Sequence, residues 1–321
     1  MGIINYQTLK PHAVNYIGGL PRLIAPVNGF NGITHGKTYQ YQPSDHIDIN
    51  TSKRNTAQYP EEELLYTVNE HNFRCQSFDK PRTKPILMTA GCSHTFGIGI
   101  RENEVWGKVL SKKLNYDLWN IGVGGIGADI VRMLIKQFFD NGYVPDLLAV
   151  LWPETTRKLL VIPGHADKTL DVDITQQIAN GSPLPEPSVL LFNGGSFNLE
   201  NLESFPEHVR NVVKDYLRTV ESTHLIEFLK NRKEVIELCR ARNVKIVEMF
   251  ASDHPKQAFD LASGCSPETN IIIPQVKITL AQQGLGLDWD QARDGMHGGK
   301  RSNEIVADAF YDIIHGNDYE S

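Results

Sequence analysis

The chain has 321 residues, enough for one large domain with a sizeable core. Its hydrophobic content of 40% and charged content of 22% are ordinary for a globular protein, and a net charge of −6 provides no basic surface for nucleic acid. The N-terminus lacks a basic flank followed by an apolar run, and no segment is long enough to span a bilayer. We therefore expect a cytoplasmic protein that binds neither nucleic acid nor membrane.

The four cysteines show neither a CxxC pair nor the spacing of zinc ligands. Reduced thiols suit them better than a disulfide framework. We therefore expect no structural metal site.

Residues 1–83 are rich in Gly, Pro, Asn and Tyr and show little helical periodicity. This composition predicts short strands and extended segments that wrap the main domain as an irregular, β-rich extension. The main domain is expected to span residues 84–321.

Strand-like and helix-like segments alternate from Pro85 onward. Three apolar runs are typical of buried parallel strands: PILMTAG (85–91), YDLWNIG (116–122) and PDLLAVLW (145–152). Two segments between them have apolar residues at helical spacing: ENEVWGKVLSKKL (102–114) and ADIVRMLIKQFFD (128–140). The alternation predicts an α/β fold with a parallel sheet covered by helices on both faces.

The pattern breaks after the third strand. Residues 158–205 are rich in Gly, Pro, Ser and Asn and are expected to form an insertion with one hairpin near SVLLFNGG (188–195). A helical stretch over 206–242, a fourth strand over 244–250 and a closing helix over 299–316 follow. In the closing helix we expect Ile305, Ala309 and Ile313 on one face.

Reactive residues of such a sheet are expected in the loops at the carboxyl ends of its strands. Ser93 lies in the first of these loops, GCSHTFG (91–97), where a strand gives way to a helix. A serine at this position is either a nucleophile or the N-cap of the helix.

The second loop contains GVGGIG (122–127), which matches the GxGxxG pattern of dinucleotide binding. That pattern also needs an acidic residue about 20 residues further on. Asp146 precedes its strand and Glu154 lies too far along, so this support is missing. The other interpretations are a plain glycine turn, or a tight loop of Asn120, Gly122 and Gly125 whose backbone N–H groups face an oxyanion.

Two further loops carry candidate residues. WPETTR (152–157) follows the third strand and contains two threonines. ARDGMHGGK (292–300) precedes the closing helix and places Asp294 three residues before His297. A carboxylate and an imidazole at this spacing can pair, so that the carboxylate fixes the tautomer and leaves the other ring nitrogen to accept a proton. A simple surface pair has the same pattern.

The order of these motifs resembles the SGNH/GDSL hydrolase family of esterases and acyltransferases. Residues 91–97 are similar to its GDSxTxG block, residues 120–125 to NxGxxG, and residues 294–297 to DxxH. The resemblance implies a flavodoxin-like three-layer α/β/α sandwich and a triad of Ser93, His297 and Asp294. It implies an oxyanion hole that includes the N–H groups of Ser93 and Gly125. The implied activity is hydrolysis or transfer of an acyl ester, with acetyl on a carbohydrate as the expected substrate. Such a triad implies no metal ion and no organic cofactor.

The sequence departs from this family at two positions. Cys92 replaces the Asp of the first block, which leaves a minor alternative of Cys92 acting with His297. The Asn of the GxND block, an oxyanion donor in the family, is missing. Thr155 lies near that position, and either Thr155 or Thr156 could donate a hydroxyl in its place.

The replaced GxND block also resembles that of SGNH-type proteins carried by tailed phages. The alternative function is therefore a catalytically weak or inactive binding or structural protein, such as a virion or assembly component with unknown oligomeric partners. A nicotinamide or flavin enzyme is a third class, which depends on GVGGIG alone. Upstream, TVNEHNFRC (67–75) is similar to an N-x-x-G-F-R lead-in that precedes such domains.

Overall fold

A computed structural model describes residues 64–162 except 65, 70, 72, 125 and 156, residues 221–251, and residues 290–316 except 296. Outside these ranges it describes short strands before residue 42, the strand Ser188–Asn193, and residues 58, 207, 211, 214 and 215.

The described strands, in chain order, are β1 (Tyr6–Gln7), β2 (Tyr16–Ile17), β3 (Leu20–Pro21), β4 (Tyr39–Tyr41), β5 (Tyr66–Val68), β6 (Ile86–Gly91), β7 (Asp117–Asn120), β8 (Leu147–Trp152), β9 (Arg157–Ile162), β10 (Ser188–Asn193) and β11 (Lys245–Phe250). The α-helices are α1 (Ser93–Phe96), α2 (Trp106–Leu114), α3 (Ala128–Asp140), α4 (Glu221–Ala241) and α5 (Lys300–His315).

The central sheet has four parallel strands in the order β11-β8-β6-β7. Leu87 of β6 is the register partner of both Leu118 in β7 and Leu147 in β8. Counted along the chain, these strands run 2-1-3-4, which is the flavodoxin-like order. The predicted α/β fold with a parallel sheet is therefore confirmed.

Helices cover both faces of this sheet, which is why every residue of β6 and β8 is buried. Helices α2 and α5 pack on one face, and α3 and α4 on the other. The first face includes Leu87, Leu118, Leu147, Leu151, Trp106, Leu110, Val306 and Phe310. The second includes Met88, Trp119, Leu148, Val150, Ile130, Leu134, Phe138, Phe228 and Val235. Neighbouring strand residues alternate between these two cores.

Two helices differ in detail from the predictions. The segment 102–114 is interrupted, because Val105 has an extended backbone between a 3₁₀ turn (Glu102–Glu104) and α2. In α5 the buried face includes Ala309, as expected, together with Val306 and Phe310, whereas Ile305 and Ile313 are only half-buried. Phe310 stacks on Trp106 with ring centroids 4.7 Å apart, and this packing sets the rotation of the helix.

A buried ion pair joins α4 to the sheet. Arg232 Nη2 donates to Glu248 Oε2 at 2.7 Å, and Trp152 Nε1 donates to the other carboxylate oxygen at 3.0 Å. The carboxylate is thus satisfied from both sides, as a buried charge requires.

Part of the N-terminal 83 residues packs on the main domain. Tyr66 of β5 contacts Phe96 of α1 edge to face, with ring centroids 5.5 Å apart. In a second sheet, separate from the central one, β10 pairs with β9 and with β1 to form three antiparallel strands. Strand β10 is the strand expected at SVLLFNGG, and its hydrogen-bonding partner is the strand that directly follows the third loop. Most of the predicted extension and insertion lies outside the described residues.

None of the helices that the structure describes is long and apolar enough to cross a membrane.

Candidate active site

Three loops leave the sheet side by side at its carboxyl edge. Gly91, the last residue of β6, is the register partner of Leu151 in β8. On its other side, the N–H of Val123 donates to the carbonyl of Gly91 at 3.1 Å. The loops after β6, β7 and β8 therefore begin next to each other, at the point where the strand order reverses and ligands bind in this fold.

Ser93 is the first residue of α1, directly after a tight turn out of β6. Gly91 has a φ of +153°, and a Cβ there would lie 2.5 Å from the Leu151 carbonyl oxygen. Only glycine fits this turn without strain. Ser93 is 5% exposed, and its carbonyl accepts the N–H of Gly97 at 2.9 Å. The N-cap residue is Cys92, which makes no side-chain capping bond, so the capping interpretation of Ser93 is wrong.

Asn120 joins the loop after β7 to α1. Its Nδ2 donates to the Thr95 carbonyl, and its Oδ1 accepts the N–H of Gly122, both at 2.9 Å. A Cβ on Gly122 would lie 2.6 Å from the backbone nitrogen of Phe96. The interpretation in which the Gly122 N–H faces an oxyanion is therefore wrong, because Asn120 already accepts that hydrogen.

The other glycines of GVGGIG have different surroundings. Gly127 is the N-cap of α3, and a Cβ there would lie 2.0 Å from the Arg157 carbonyl oxygen. Close backbone packing thus explains Gly122 and Gly127 without a dinucleotide. Gly125, the expected oxyanion donor, lies outside the described residues.

The carboxylate of Asp294 is bound to His297 at two points. Its Oδ1 accepts the backbone N–H of His297 at 3.1 Å, and its Oδ2 is hydrogen-bonded to Nδ1 of the imidazole. Asp294 is buried and the His297 ring is half-buried. The sequence interpretation of a direct carboxylate–imidazole pair is therefore matched by the geometry.

The loop that carries this pair is closed at its base. The N–H of Ala292 donates to the carbonyl of His297 at 2.9 Å. Asp290 accepts the N–H groups of Arg301 at 2.7 Å and Ser302 at 3.0 Å, and so caps the start of α5. The pair is thus fixed to a rigid helix end.

His94 brings the two halves of the site together. Its ring lies edge to face with that of His297, with centroids 5.0 Å apart. Ser93, the neighbour of His94 in the chain, therefore lies at the same carboxyl edge of the sheet as His297. The two described side chains of Ser93 and His297 are not hydrogen-bonded to each other. Such bonds often become short only when substrate binds.

The two histidines differ in charge. Burial, followed by the nearby His297 and Arg157, lowers the pKa of His94 from 6.5 to about 3, and Asp294 opposes this shift. His94 is therefore uncharged at neutral pH and adds no fixed positive charge beside His297.

Thr155 lies in the loop after β8 and is 7% exposed. Its hydroxyl has no hydrogen-bond partner among the described residues, which is unusual for a buried polar group. Glu154 and Arg157 flank it and form an ion pair at 3.6 Å. A buried hydroxyl without a partner, at this edge of the sheet, is available to donate to a bound oxygen.

Cys92 points away from this edge. It is 1% exposed and belongs to the apolar core that contains Trp119 and Val123. This burial disfavours the alternative of Cys92 as nucleophile. Elsewhere in the described part of the chain, no three His, Cys, Asp or Glu residues form a group able to hold a metal ion.

Sequence reasoning missed two residues next to the site. His94 follows Ser93 directly, but only the fold shows that its ring meets His297. Arg74 lies in the NFR lead-in and donates to the carbonyls of Gly97 and Ile100 in the loop after α1. The lead-in motif in the sequence could have drawn attention to Arg74. The motif does not indicate, however, that Arg74 contacts the loop after α1.

No family model and no curated protein matches this sequence. Among solved structures, the fold is similar to a lipolytic protein of the G-D-S-L family from Desulfitobacterium hafniense DCB-2, with 11% identity, a TM-score of 0.40, and coverage of 71% of this chain and 99% of that one. A G-D-S-L lipolytic protein from Veillonella parvula DSM 2008 gives 10% identity and a TM-score of 0.39, covering 72% and 98%. A family two carbohydrate esterase from Clostridium thermocellum, solved with cellohexaose, gives 11% identity and a TM-score of 0.35, covering 74% and 65%. The likeness concerns the fold alone.

Proposed function

We propose that the chain is a serine ester hydrolase with Ser93 as nucleophile, His297 as general base and acid, and Asp294 as the group that orients His297. The observation that carries the proposal is the Asp294–His297 pair, held with its ring against His94, the residue after Ser93. A triad is recognised by this geometry of roles rather than by position in the sequence.

In the proposed reaction, His297 Nε2 accepts the hydroxyl proton of Ser93 while Oγ bonds to the acyl carbon. Asp294 holds Nδ1 and stabilises the imidazolium. The proton then passes to the leaving alkoxide as the ester C–O bond breaks, and water releases the acid from the acyl-enzyme in a second cycle. The N–H groups of Ser93 and Gly125 and the Thr155 hydroxyl are the proposed donors to the oxyanion.

The proposed substrate is an acyl ester, with an acetyl group on a carbohydrate as the preferred case. This choice follows from the motif resemblance of residues 91–97 and 294–297. The proposed insertion over residues 158–205 begins at the carboxyl edge of the sheet and is expected to shape the cleft. The proposed extension over residues 1–83 wraps the main domain of residues 84–321.

A fluorophosphonate probe tests the proposal directly. Mass spectrometry of the labelled protein should locate the adduct on Ser93, and p-nitrophenyl acetate should be turned over. Both signals should disappear in Ser93→Ala, and labelling should be lost in His297→Ala. Turnover no higher than that of Ser93→Ala, together with an absence of labelling, would sink the enzyme hypothesis.

A second candidate is a catalytically weak or inactive binding or structural protein, including a virion component. The observation that favours it is the sequence at the carboxyl end of β8, where Trp152, Pro153, Glu154 and Thr155 stand in place of an Asn donor. Loss of one oxyanion donor typically lowers the rate by about 10²–10³-fold. The same probe experiment separates the two candidates.

A further inference from the structure

Four residues, Gly97 to Ile100, connect the two halves of the candidate site. The N–H groups of Gly97 and Ile98 donate to the Ser93 carbonyl at 2.9 and 3.3 Å. The carbonyl of Gly99 accepts the N–H of Arg293, the neighbour of Asp294, at 2.9 Å. The position of Ser93 relative to Asp294 therefore depends on this segment, which we call the connecting loop (residues 97–100).

The connecting loop also packs closely on the chain next to Asp294. A Cβ on Gly99 would lie 2.9 Å from the Cβ of Ala292 and 3.1 Å from the nitrogen of Arg293. A shift of the loop by a fraction of an ångström would therefore move the segment that carries Asp294.

Arg74 holds both ends of the connecting loop. Its Nη1 donates to the carbonyls of Gly97 and, at 3.3 Å, Phe96, and its Nη2 donates to the carbonyl of Ile100 at 2.7 Å. The side chain is almost completely buried. A planar guanidinium can make these bonds in fixed directions, whereas a lysine ammonium cannot reproduce the fork.

Residues before Arg74 fix the guanidinium in place. It lies 4.0 Å from the centroid of the Tyr66 ring, and the Tyr66 hydroxyl accepts the N–H of Gly99. Asn69 Oδ1 accepts the N–H groups of His71 and Phe73, each at 3.0 Å, and so shapes the turn that leads to Arg74. The lead-in motif thus has a defined structure that ends on the connecting loop.

We propose that Arg74 is a positioning residue: it sets the distance between Ser93 and the Asp294–His297 pair by holding the connecting loop. This inference rests on the proposed function. Arg74 touches none of the proposed reacting groups and acts through the loop. Since misplacement of reacting groups by about 1 Å can cost about 10²-fold in rate, its loss should lower kcat rather than raise KM.

The test compares Arg74→Lys with Arg232→Lys. Arg232 is also a buried arginine, but its partner Glu248 belongs to the ion pair between α4 and β11. We expect Arg74→Lys to lower kcat for p-nitrophenyl acetate about 100-fold with KM within about twofold. Arg232→Lys should lose stability and keep its kcat. In Arg74→Ala, millimolar guanidinium chloride should restore part of the rate, whereas sodium chloride at the same concentration should not.

Wild-type kcat in Arg74→Lys, with a loss of stability like that of Arg232→Lys, would overturn the inference and leave the proposed function intact. An inactive, unlabelled wild type would overturn the proposed function and this inference with it. If Arg74→Lys does not fold, Tyr66→Phe decides, because it keeps the ring under the guanidinium and removes the hydroxyl that accepts the Gly99 N–H. We expect about a fivefold fall in kcat there, and an unchanged kcat would count against the inference.

Discussion

Asp294 holds His297 through both of its carboxylate oxygens: one accepts the backbone N–H of His297, and the other is hydrogen-bonded to ring Nδ1. The first bond fixes the fold of the loop and the second fixes the tautomer of the ring. A single substitution can separate these two effects.

Asp294→Asn should keep the loop and lose the reaction. The amide oxygen can still accept the His297 N–H, but the amide nitrogen would then donate to Nδ1 and place the ring proton on Nε2, the wrong tautomer. We expect kcat for p-nitrophenyl acetate to fall on the order of 10⁴-fold, with little change in melting temperature. Steady-state kinetics and thermal melts measure both quantities.

Asp290→Asn is the matched control for this prediction. Asp290 lies in the same loop and caps α5, so its conversion should weaken the cap and lower stability by about 1 kcal/mol. Its kcat should remain that of the wild type. Equal losses of activity in the two variants would contradict the separate role of Asp294.

Thr155→Val tests the proposed replacement for the missing Asn. Valine has nearly the same shape and lacks the hydroxyl, so we expect kcat to fall about 10²–10³-fold. Stability should stay constant or rise, because a buried hydroxyl without a described partner is removed. Activity assays and urea unfolding on the same preparation provide the comparison.

Thr89→Val serves as the reference, since Thr89 also carries a buried hydroxyl with no described partner. It lies within β6 and faces Gly107 of α2, away from the carboxyl edge. Its kcat should not change. If Thr155→Val behaved in the same way, the Thr155 hydroxyl would have no part in the reaction.

The sequence predicted those features of the fold and of the candidate site that are determined by residues close together in the chain. The buried strands β6 and β8 follow from short runs that are almost entirely apolar, and the Asp294–His297 pair follows from a three-residue spacing. Each of these features is set by residues close together in the chain.

Contacts between distant segments could not be predicted in this way. Asn120 resembled part of an oxyanion loop in the sequence, but the packing of α1 beside β7 makes it a bridge to Thr95. His94 meets His297 across about 200 residues of sequence, a contact that only the strand order creates. Sequence periodicity carries no information on such pairings.

Asn120→Asp should loosen the attachment of α1. The new carboxylate keeps the acceptor for the Gly122 N–H but places an oxygen where Nδ2 donated to the Thr95 carbonyl. Two buried acceptors would then face each other, and we expect a loss of about 1–3 kcal/mol in the free energy of unfolding. Urea titration measures this loss.

Asn141→Asp provides the comparison for that variant. Asn141 donates to the Gln137 carbonyl at the end of α3 and is only half-buried, so water can replace the lost bond. Its unfolding free energy should fall by less than that of Asn120→Asp. An equal fall would show that the buried bridge has no special cost.

His94→Gln should change how stability depends on pH. The pKa of His94 is lowered in the folded chain from 6.5 to about 3, so between these values the unfolded chain binds a proton that the folded chain does not. The wild type therefore loses stability as pH falls from 6.5 towards 3, by at most about 1.4 kcal/mol per pH unit from this group. Above pH 6.5 both states are neutral at this position and the contribution of His94 to the free energy of unfolding is constant.

Urea titrations of the wild type and His94→Gln at pH 7.5, 6 and 4.5 measure this dependence. Above pH 6.5 the free energies of unfolding of the two proteins should change with pH in the same way. Below pH 6.5 that of the variant should fall less steeply than that of the wild type. His315→Gln, which removes an exposed histidine at the end of α5, is measured at the same pH values as a control substitution. Identical acid slopes in the wild type and His94→Gln would mean that His94 takes up its proton equally well in the folded chain, contrary to the desolvation of its ring beside His297.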